Sequence, residues 1–372
     1  MAYALTTIWH ERNRFLPGVL AVAFSALLIA LQSGLLLGLF SIVSIPIDRG
    51  GADVWVGCPG VQSVDLGMPV PEAWKARLAA QPEVAATETY LQGFVLWGKP
   101  DDGVEMCSVI GTRLEDGSFG AIRDLTPELR AKLTEPGAIV VDEGERERLG
   151  ITGAGHTAEV MGVRVRVVGF VRGLKGLAGA YMFCSLPTAR MLLSRAGVGS
   201  EQTTYLLARC HDPADAAAVA RRLRSEKMAA FTREEFSLQS RLHWLIKTKA
   251  GLAMGGAALL GLIVGAAVTS QTLYAATAAA LREYAVLEAL GIPTWRMASL
   301  VLSQSLWVGV AGLVAAAPAI LGFAYLFEAA GIKVLLPPWL LAATGAVTLA
   351  MALLSGLVAL RSLKLAEPAN LL

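Results

Sequence analysis

The sequence predicts a membrane protein with four transmembrane helices and an α+β extracytoplasmic domain inserted between helices 1 and 2. The first observation is charge. No charged residue falls between Arg14 and Asp48, Lys249 and Arg282, Arg296 and Glu328, or Lys333 and Arg361, which leaves uncharged runs of 33, 32, 31 and 27 residues. Crossing a hydrocarbon core takes about 20 residues of helix at about 1.5 Å each, so every run is long enough, with residues to spare for tilt. The second observation is spacing: one run, then about two hundred polar residues, then three runs in succession. The third is composition, because 55% of the 372 residues are hydrophobic, which excludes an ordinary soluble enzyme.

In chain order, residues 1–15 read as a cytoplasmic N-terminal segment and 16–45 as transmembrane helix 1. That run is longer than a signal-peptide apolar region of about 7–15 residues and has no small-x-small cleavage site beside it, so it reads as a retained anchor. Residues 46–232 form the inserted domain, predicted to be two-lobed. Ala52–Gly57 is an apolar strand and Pro71–Ala80 a helix opened by proline and Glu72. Val84–Trp97 alternates as one long strand or a bent pair, and Val104–Gly111 follows. At the far end Thr203–Arg209 is a strand. Asp212 caps a helix with Pro213 at its first position, and Met228–Phe231 closes a second strand–helix–strand unit. A unit of this kind at each end suggests two halves of one subdomain.

Between those ends, Gly137–Asp142 is a buried-type strand leading to a short charged helix that ends at Leu149-Gly150. His156–Met161 and Val163–Val171 form a hairpin across Gly162. Val163, Val165 and Val167 alternate with Arg164 and Arg166, one face to a core and one to water. Ala180–Cys184 is a strand and Pro187–Ser194 a helix. Thr232 and Glu235 stand in capping-box spacing, and the helix they open is expected to run through Trp244 straight into the next span as one rod. Residues 233–280 are thus stalk and transmembrane helix 2, 281–296 a cytoplasmic coupling helix, 297–327 and 334–360 transmembrane helices 3 and 4, and 361–372 a cytoplasmic tail.

Orientation follows from the short flanks. Arg12 and Arg14, Arg282 and Arg296, and Arg361 and Lys364 mark the cytoplasmic side, against Lys333 alone in the third-to-fourth connection. From Pro46 to Lys249 there are 25 Lys/Arg and 25 Asp/Glu, so the domain is neutral and offers no surface for nucleic acid. Its cysteines, Cys58, Cys107, Cys184 and Cys210, have no zinc or thioredoxin spacing; an oxidising compartment would permit disulfides, and the pairing stays open. No ionisable residue lies in the middle of a span, which argues against a proton- or ion-coupled transporter. Gln32, Gln271 and Gln304 are the larger polar residues there, suited to interhelical hydrogen bonds. Gly34/Gly38, Gly251/Gly255 and Gly261/Gly265 fit G-x-x-x-G, which serves a packing seam within one chain or between two. Gln32, Gly34, Gly38, Gly261 and Gly265 are the candidate seam residues. There is no Walker-type sequence and no H-E-x-x-H, so no catalytic, cofactor or metal residue is expected here, and any ATP is bound by another chain.

The most specific motif is Leu281–Met297, LREYAVLEALGIPTWRM, an amphipathic helix with Tyr284, Leu287 and Leu290 on one face, closed by Gly291 and Pro293. It resembles the cytoplasmic connection of the MacB/FtsX-type permeases, the membrane subunits of type VII ABC transporters. Arg282, Leu287, Ala289, Leu290 and Gly291 match, while the acidic residue falls at Glu283, and Tyr284 and Ala285 replace the usual glutamate and isoleucine. The tail around Glu367-Pro368, and GAIVVDEGERERLGI followed by RVRVVGFV, resemble the same family. His10, Glu11, Arg12, Arg14, Gln32 and Gly34 are similar to its DevC/HrtB-like branch.

The resemblance implies a multi-pass protein of the bacterial cytoplasmic (inner) membrane, both termini inside. It would work as a homodimer with a separate ABC ATPase, with Arg282, Glu283, Leu287, Leu290 and Gly291 as coupling contacts. It also implies export or extraction of an amphiphile (lipid or glycolipid, haem or hydrophobic drug), with a membrane-fusion adaptor and outer-membrane channel as further partners. The alternative is an FtsX-like regulator of a cell-wall hydrolase that transports nothing.

Overall fold

The first uncharged run folds as α1 (Arg12–Val43), 32 residues long, in a computed structural model whose described residues are 12–279, 293–330 and 332–365. The chain divides into two compact units: residues up to Gly38 with those from Leu252 onward, and residues Leu39–Gly251.

The second unit opens with α2 (Ile45–Asp48), a single turn carrying proline at its start. β1 (Val54–Gly57) is buried throughout. A 3-10 turn at Val64–Leu66, β2 (Val70–Pro71) and α3 (Trp74–Ala79) follow, then β3 (Val84–Gly98), one continuous strand of 15 residues, and β4 (Val104–Thr112). α4 (Pro127–Leu133) has Thr126 as N-cap, its Oγ1 accepting from Leu129 N at 3.3 Å. β5 (Ala138–Asp142) leads to α5 (Arg146–Leu149), which ends at Gly150 with φ 68°, a left-handed cap that glycine adopts without strain. β6 (Thr157–Val160) and β7 (Val163–Val171) form the expected hairpin, and Val165, Val167 and Val171 point into the core. β8 (Ala180–Ser185), α6 (Leu186–Arg195), β9 (Gln202–Thr203) and β10 (Tyr205–Cys210) come next. Asp212 caps the turn into α7 (Ala216–Leu223), and β11 (Ala229–Thr232) hands the chain to α8 (Arg233–Ile246).

Among the described residues nine strands join in the order β11-β1-β10-β3-β4-β8-β5-β7-β6, and β6 also pairs with β3. β3 is therefore shared by two lobes. Its first half, Val84–Tyr90, pairs antiparallel with β10, beside β1 and β11. The units β1-α3-β3 and β10-α7-β11 interleave in that lobe, each crossover stepping over a strand of the other. The second half of β3, Leu91–Gly98, pairs with β4. The run β4-β8-β5-β7-β6 then returns to β3 through Trp97↔Val160, closing a ring. Side-chain alternation divides the first lobe's core: Val54, Val56, Leu206 and Ala208 face α3 and α7, while Trp55, Tyr205 and Leu207 face the other way, with Phe236 of α8.

The rod expected from the domain into the second span is two helices. α8 stops at Ile246 with Lys247 as C-cap, and α9 (Lys249–Ala279) begins two residues later. Thr248 makes the break: its Oγ1 donates to Trp244 O at 2.5 Å and accepts from Gly251 N at 3.0 Å, ending one helix and capping the next. α10 (Thr294–Ala329) and α11 (Pro338–Leu365) complete the first unit. Among the described residues Phe15–Val43, Gly251–Thr272, Val301–Ala329 and Pro338–Leu357 are long and apolar enough to cross a membrane. The fourth span was expected from 334. Val334–Pro337 is instead non-helical and lies on α1, with Leu335 N donating to Gly34 O at 3.0 Å; two prolines then start α11. In this unit Val22 packs with Val308 and Ala352, and Ala26 and Ala30 with Ala316 and Ile320.

Candidate functional site

The inserted domain has two covalent connections toward the spans, α2 on the way out and α8 on the way back, and the structure clasps them together. α8 begins with a complete capping box: Thr232 Oγ1 accepts from Glu235 N at 3.2 Å, and Glu235 Oε2 accepts from Thr232 N at 3.1 Å. Its residues at i, i+4 and i+8 then meet α2. Arg233 donates to the Asp48 carbonyl, Ser237 Oγ donates to Asp48 Oδ1 at 2.8 Å, and Arg241 Nη2 reaches Asp48 Oδ2 at 2.5 Å. Arg241 Nε also donates to Ser44 Oγ at 2.8 Å, and Ser44 Oγ donates to Asp48 Oδ2 at 2.6 Å. Asp48 thus receives two side-chain hydroxyls and a guanidinium, a charge-assisted arrangement stronger than an isolated surface pair.

One quarter-turn round, the same helix grips the 3-10 turn. Ser240 Oγ accepts from Val64 N at 3.0 Å, Trp244 Nε1 donates to Ser63 Oγ at 3.2 Å, and Gln239 Nε2 donates to Val61 O at 2.6 Å. Phe236 is fully buried, stacked on Phe231 at 5.0 Å and edge-on to Tyr205 at 5.5 Å, with Trp55 at 5.8 Å. Asp65, held in that turn, is 6% exposed and accepts from Tyr181 OH of β8 at 3.4 Å, while its Oδ2 has no partner. Burial pushes its carboxyl up to about 7, against the Tyr181 hydroxyl and Trp244 indole, which pull the other way. Burial first, and then the nearby Asp65 charge, raise the phenol of Tyr90 well above its usual range; the same two influences act on Tyr181.

None of these residues stands out by sequence motif except Thr232 and Glu235. The signal for the rest was the spacing of Arg233, Ser237, Ser240, Arg241 and Trp244 on one helical face, opposite Leu238, Leu242 and Ile246.

The candidate seam residues meet partners within the chain. A Cβ on Gly261 would lie 1.9 Å from Gln32 Oε1, and one on Gly265 would lie 3.1 Å from Ser25 Cβ. Ser25 Oγ donates to Gly265 O at 2.9 Å, so Gln32 and Ser25 of α1 lie directly on the small face of α9. Gly34 and Gly38 face Val334–Leu336 and the Lys333 carbonyl instead. Gln32 Oε1 has no hydrogen-bond partner among the described residues. Arg282, Glu283, Leu287, Leu290 and Gly291 lie outside the described residues. Cys58, Cys107, Cys184 and Cys210 are unpaired thiols.

Apolar spanning helices joined to a mixed α/β insert define a multi-pass membrane protein with an extracytoplasmic domain. Two family models match it: a MacB-like periplasmic core domain over residues 19–226, and the C-terminal part of FtsX-like permeases over residues 255–368. The first alone covers more than half of the chain, and the chain belongs to the MacB/FtsX-type permeases. Among solved structures, the periplasmic region of MacB from Actinobacillus actinomycetemcomitans is 11% identical with a TM-score of 0.35, covering 50% of this chain and 92% of that one. The extracellular domain of the noncanonic ABC-type transporter YknZ from Gram-positive bacteria is 13% identical with a TM-score of 0.32, covering 48% and 98%. No curated protein matches the chain in sequence.

Proposed function

We propose that this chain is the permease subunit of an ABC exporter, a homodimer served by two copies of a separate ATPase chain that binds the ATP. Closure of those ATPases displaces the 281–296 connection through Arg282, Glu283, Leu287, Leu290 and Gly291. The displacement passes along α9 into α8, and the domain moves so as to expel or extract an amphiphile from the outer side. The observation that carries this reading is the clasp of Asp48 by Ser237 and Arg241. It ties the returning stalk to the outgoing one, so a pull on α8 is delivered to α2 as well and moves the domain as a body.

The test is reconstitution with the ATPase in proteoliposomes, reading hydrolysis and export separately. Leu287→Glu with Leu290→Glu should abolish ATPase association. Arg241→Ala should leave association and hydrolysis in place and reduce export; normal export by that variant removes the clasp from the mechanism. Hydrolysis indifferent to every amphiphile, with a cell-wall hydrolase retained on purification, would move the protein to the FtsX-like regulatory class.

A further inference from the structure

The face of α8 turned away from its seat is apolar and open. Leu238, Leu242 and Ile246 recur every four residues and are 58%, 43% and 55% exposed. With Val61 and Phe231 they line a groove of about 760 Å³, inside the range of about 300–1,000 Å³ usual for small-molecule sites. A stripe of large aliphatic side chains left in water along one helix face calls for an occupant.

Two features select the occupant. The first is position along the chain: the groove ends at Ile246 and Lys247, and the apolar membrane run starts at Gly251. In chain order the stripe therefore comes immediately before the segment that enters the bilayer. The second is charge. The groove's acid, Glu235, is taken by Arg224 at 2.9 Å, so that end is neutralised. Lys247, at the membrane end, makes no ion pair among the described residues, and His243 beside it has a buried Nδ1 without a hydrogen-bond partner. An aliphatic slot leading from an unpaired ammonium is complementary to a hydrocarbon tail with an acidic head.

We infer that this groove receives one acyl chain of an acidic phospholipid drawn from the adjoining leaflet, its headgroup at Lys247 and His243 and its tail along Ile246, Leu242 and Leu238. This rests on the exporter reading and gives it a substrate class and an entry point. Because α8 is also the proposed transmission element, loading the groove and moving the stalk act on the same helix.

The full chain would be placed in phosphatidylcholine vesicles doped with phosphatidylglycerol carrying a photoreactive group in one acyl chain, and labelled peptides mapped after illumination. Labelling of 238–247 is expected, about tenfold lower in Leu242→Glu and in Lys247→Glu, a loss of about 1.4 kcal/mol of affinity. Labelling of the exposed Leu259 and Leu260 in the span should stay constant in both variants, which confirms folding and insertion. The same probe on a phosphatidylcholine head should label the groove less. Background labelling at 238–247, equal labelling by the two headgroups, or Leu242→Cys forming a disulfide with a second copy in place of lipid labelling would overturn the inference. Export measured on the same vesicles separates the two readings. An unlabelled groove in a transporting protein removes only the groove, whereas a labelled groove in a protein that transports nothing keeps the lipid site and removes the exporter.

Discussion

Asp65 holds a carboxyl between the stalk and the ring-forming lobe, with Ser240 and Trp244 of α8 around its turn and Tyr181 of β8 at its oxygen. Its ordinary value of 3.8 is raised to about 7 in the folded chain. Between those values the folded state holds a proton that the unfolded state has released, so stability falls as pH rises through the window and levels off above it. Asp65→Asn keeps the shape without the charge. Its melting temperature should exceed that of the wild type at about pH 8 and vary far less between about pH 4 and pH 8; an unchanged slope would assign the titration to another group. Phe236 is the apolar counterpart. Phe236→Ala should cost about 3–5 kcal/mol in denaturant unfolding followed by tryptophan fluorescence, because Phe231, Tyr205 and Trp55 all lose a ring contact. Neither residue was legible beforehand. Asp65 is one acid among 25 between Pro46 and Lys249, in a Gly- and Pro-rich stretch that reads as solvated, and what buries it is a helix far along the chain.

The elements of the stalk show which signals are local. T-x-x-E is a short-range pattern whose partners are its own backbone, so the capping box at Thr232 was readable and forms as read. Thr232→Ala should cost about 1 kcal/mol and speed amide exchange in the first turn of α8. The break after Ile246 was not readable, because I-K-T-K-A carries neither proline nor glycine and the interruption depends on the Thr248 hydroxyl folding back onto Trp244 O. Gly251 closes that turn, since a Cβ there would stand 1.9 Å from the Trp244 carbonyl and 2.6 Å from that of Leu245. Backbone cannot retreat as a side-chain tip can, so Gly251→Ala should open the turn. The expected result is amide exchange at 247–251 faster by about tenfold, or about 1.4 kcal/mol; unchanged exchange would show that the turn tolerates the methyl.

At the scale of the whole chain, the order of spans and insert was legible from charge alone, because a bilayer forbids charges over a fixed length. The paired strand–helix–strand units were legible from periodicity. The sharing of β3 between two lobes was not, since alternation says which face a residue takes and not which strand lies beside it. α4 went unseen because it is seven residues long with only Leu133 buried. The small residues of the spans were expected to line a seam within one chain or between two, and the neighbours they meet within this chain grade them. A Cβ on Gly261 meets the movable end of Gln32, whereas one on Gly38 meets the Lys333 carbonyl at 1.9 Å. Gly38→Ala should therefore lower the melting temperature in detergent distinctly more than Gly261→Ala; the reverse order would argue that Gln32 is fixed.

The return of β6 to β3 has a consequence beyond architecture. Open strand edges recruit strands from other chains. Among the described residues the run β4-β8-β5-β7-β6 closes on β3, and the end strand left in the nine-stranded sheet is β11, four residues long. A strand added to the nine-stranded sheet would therefore have to pair at β11, and a protein that engages the ring-forming lobe is expected to recognise side chains and surface shape.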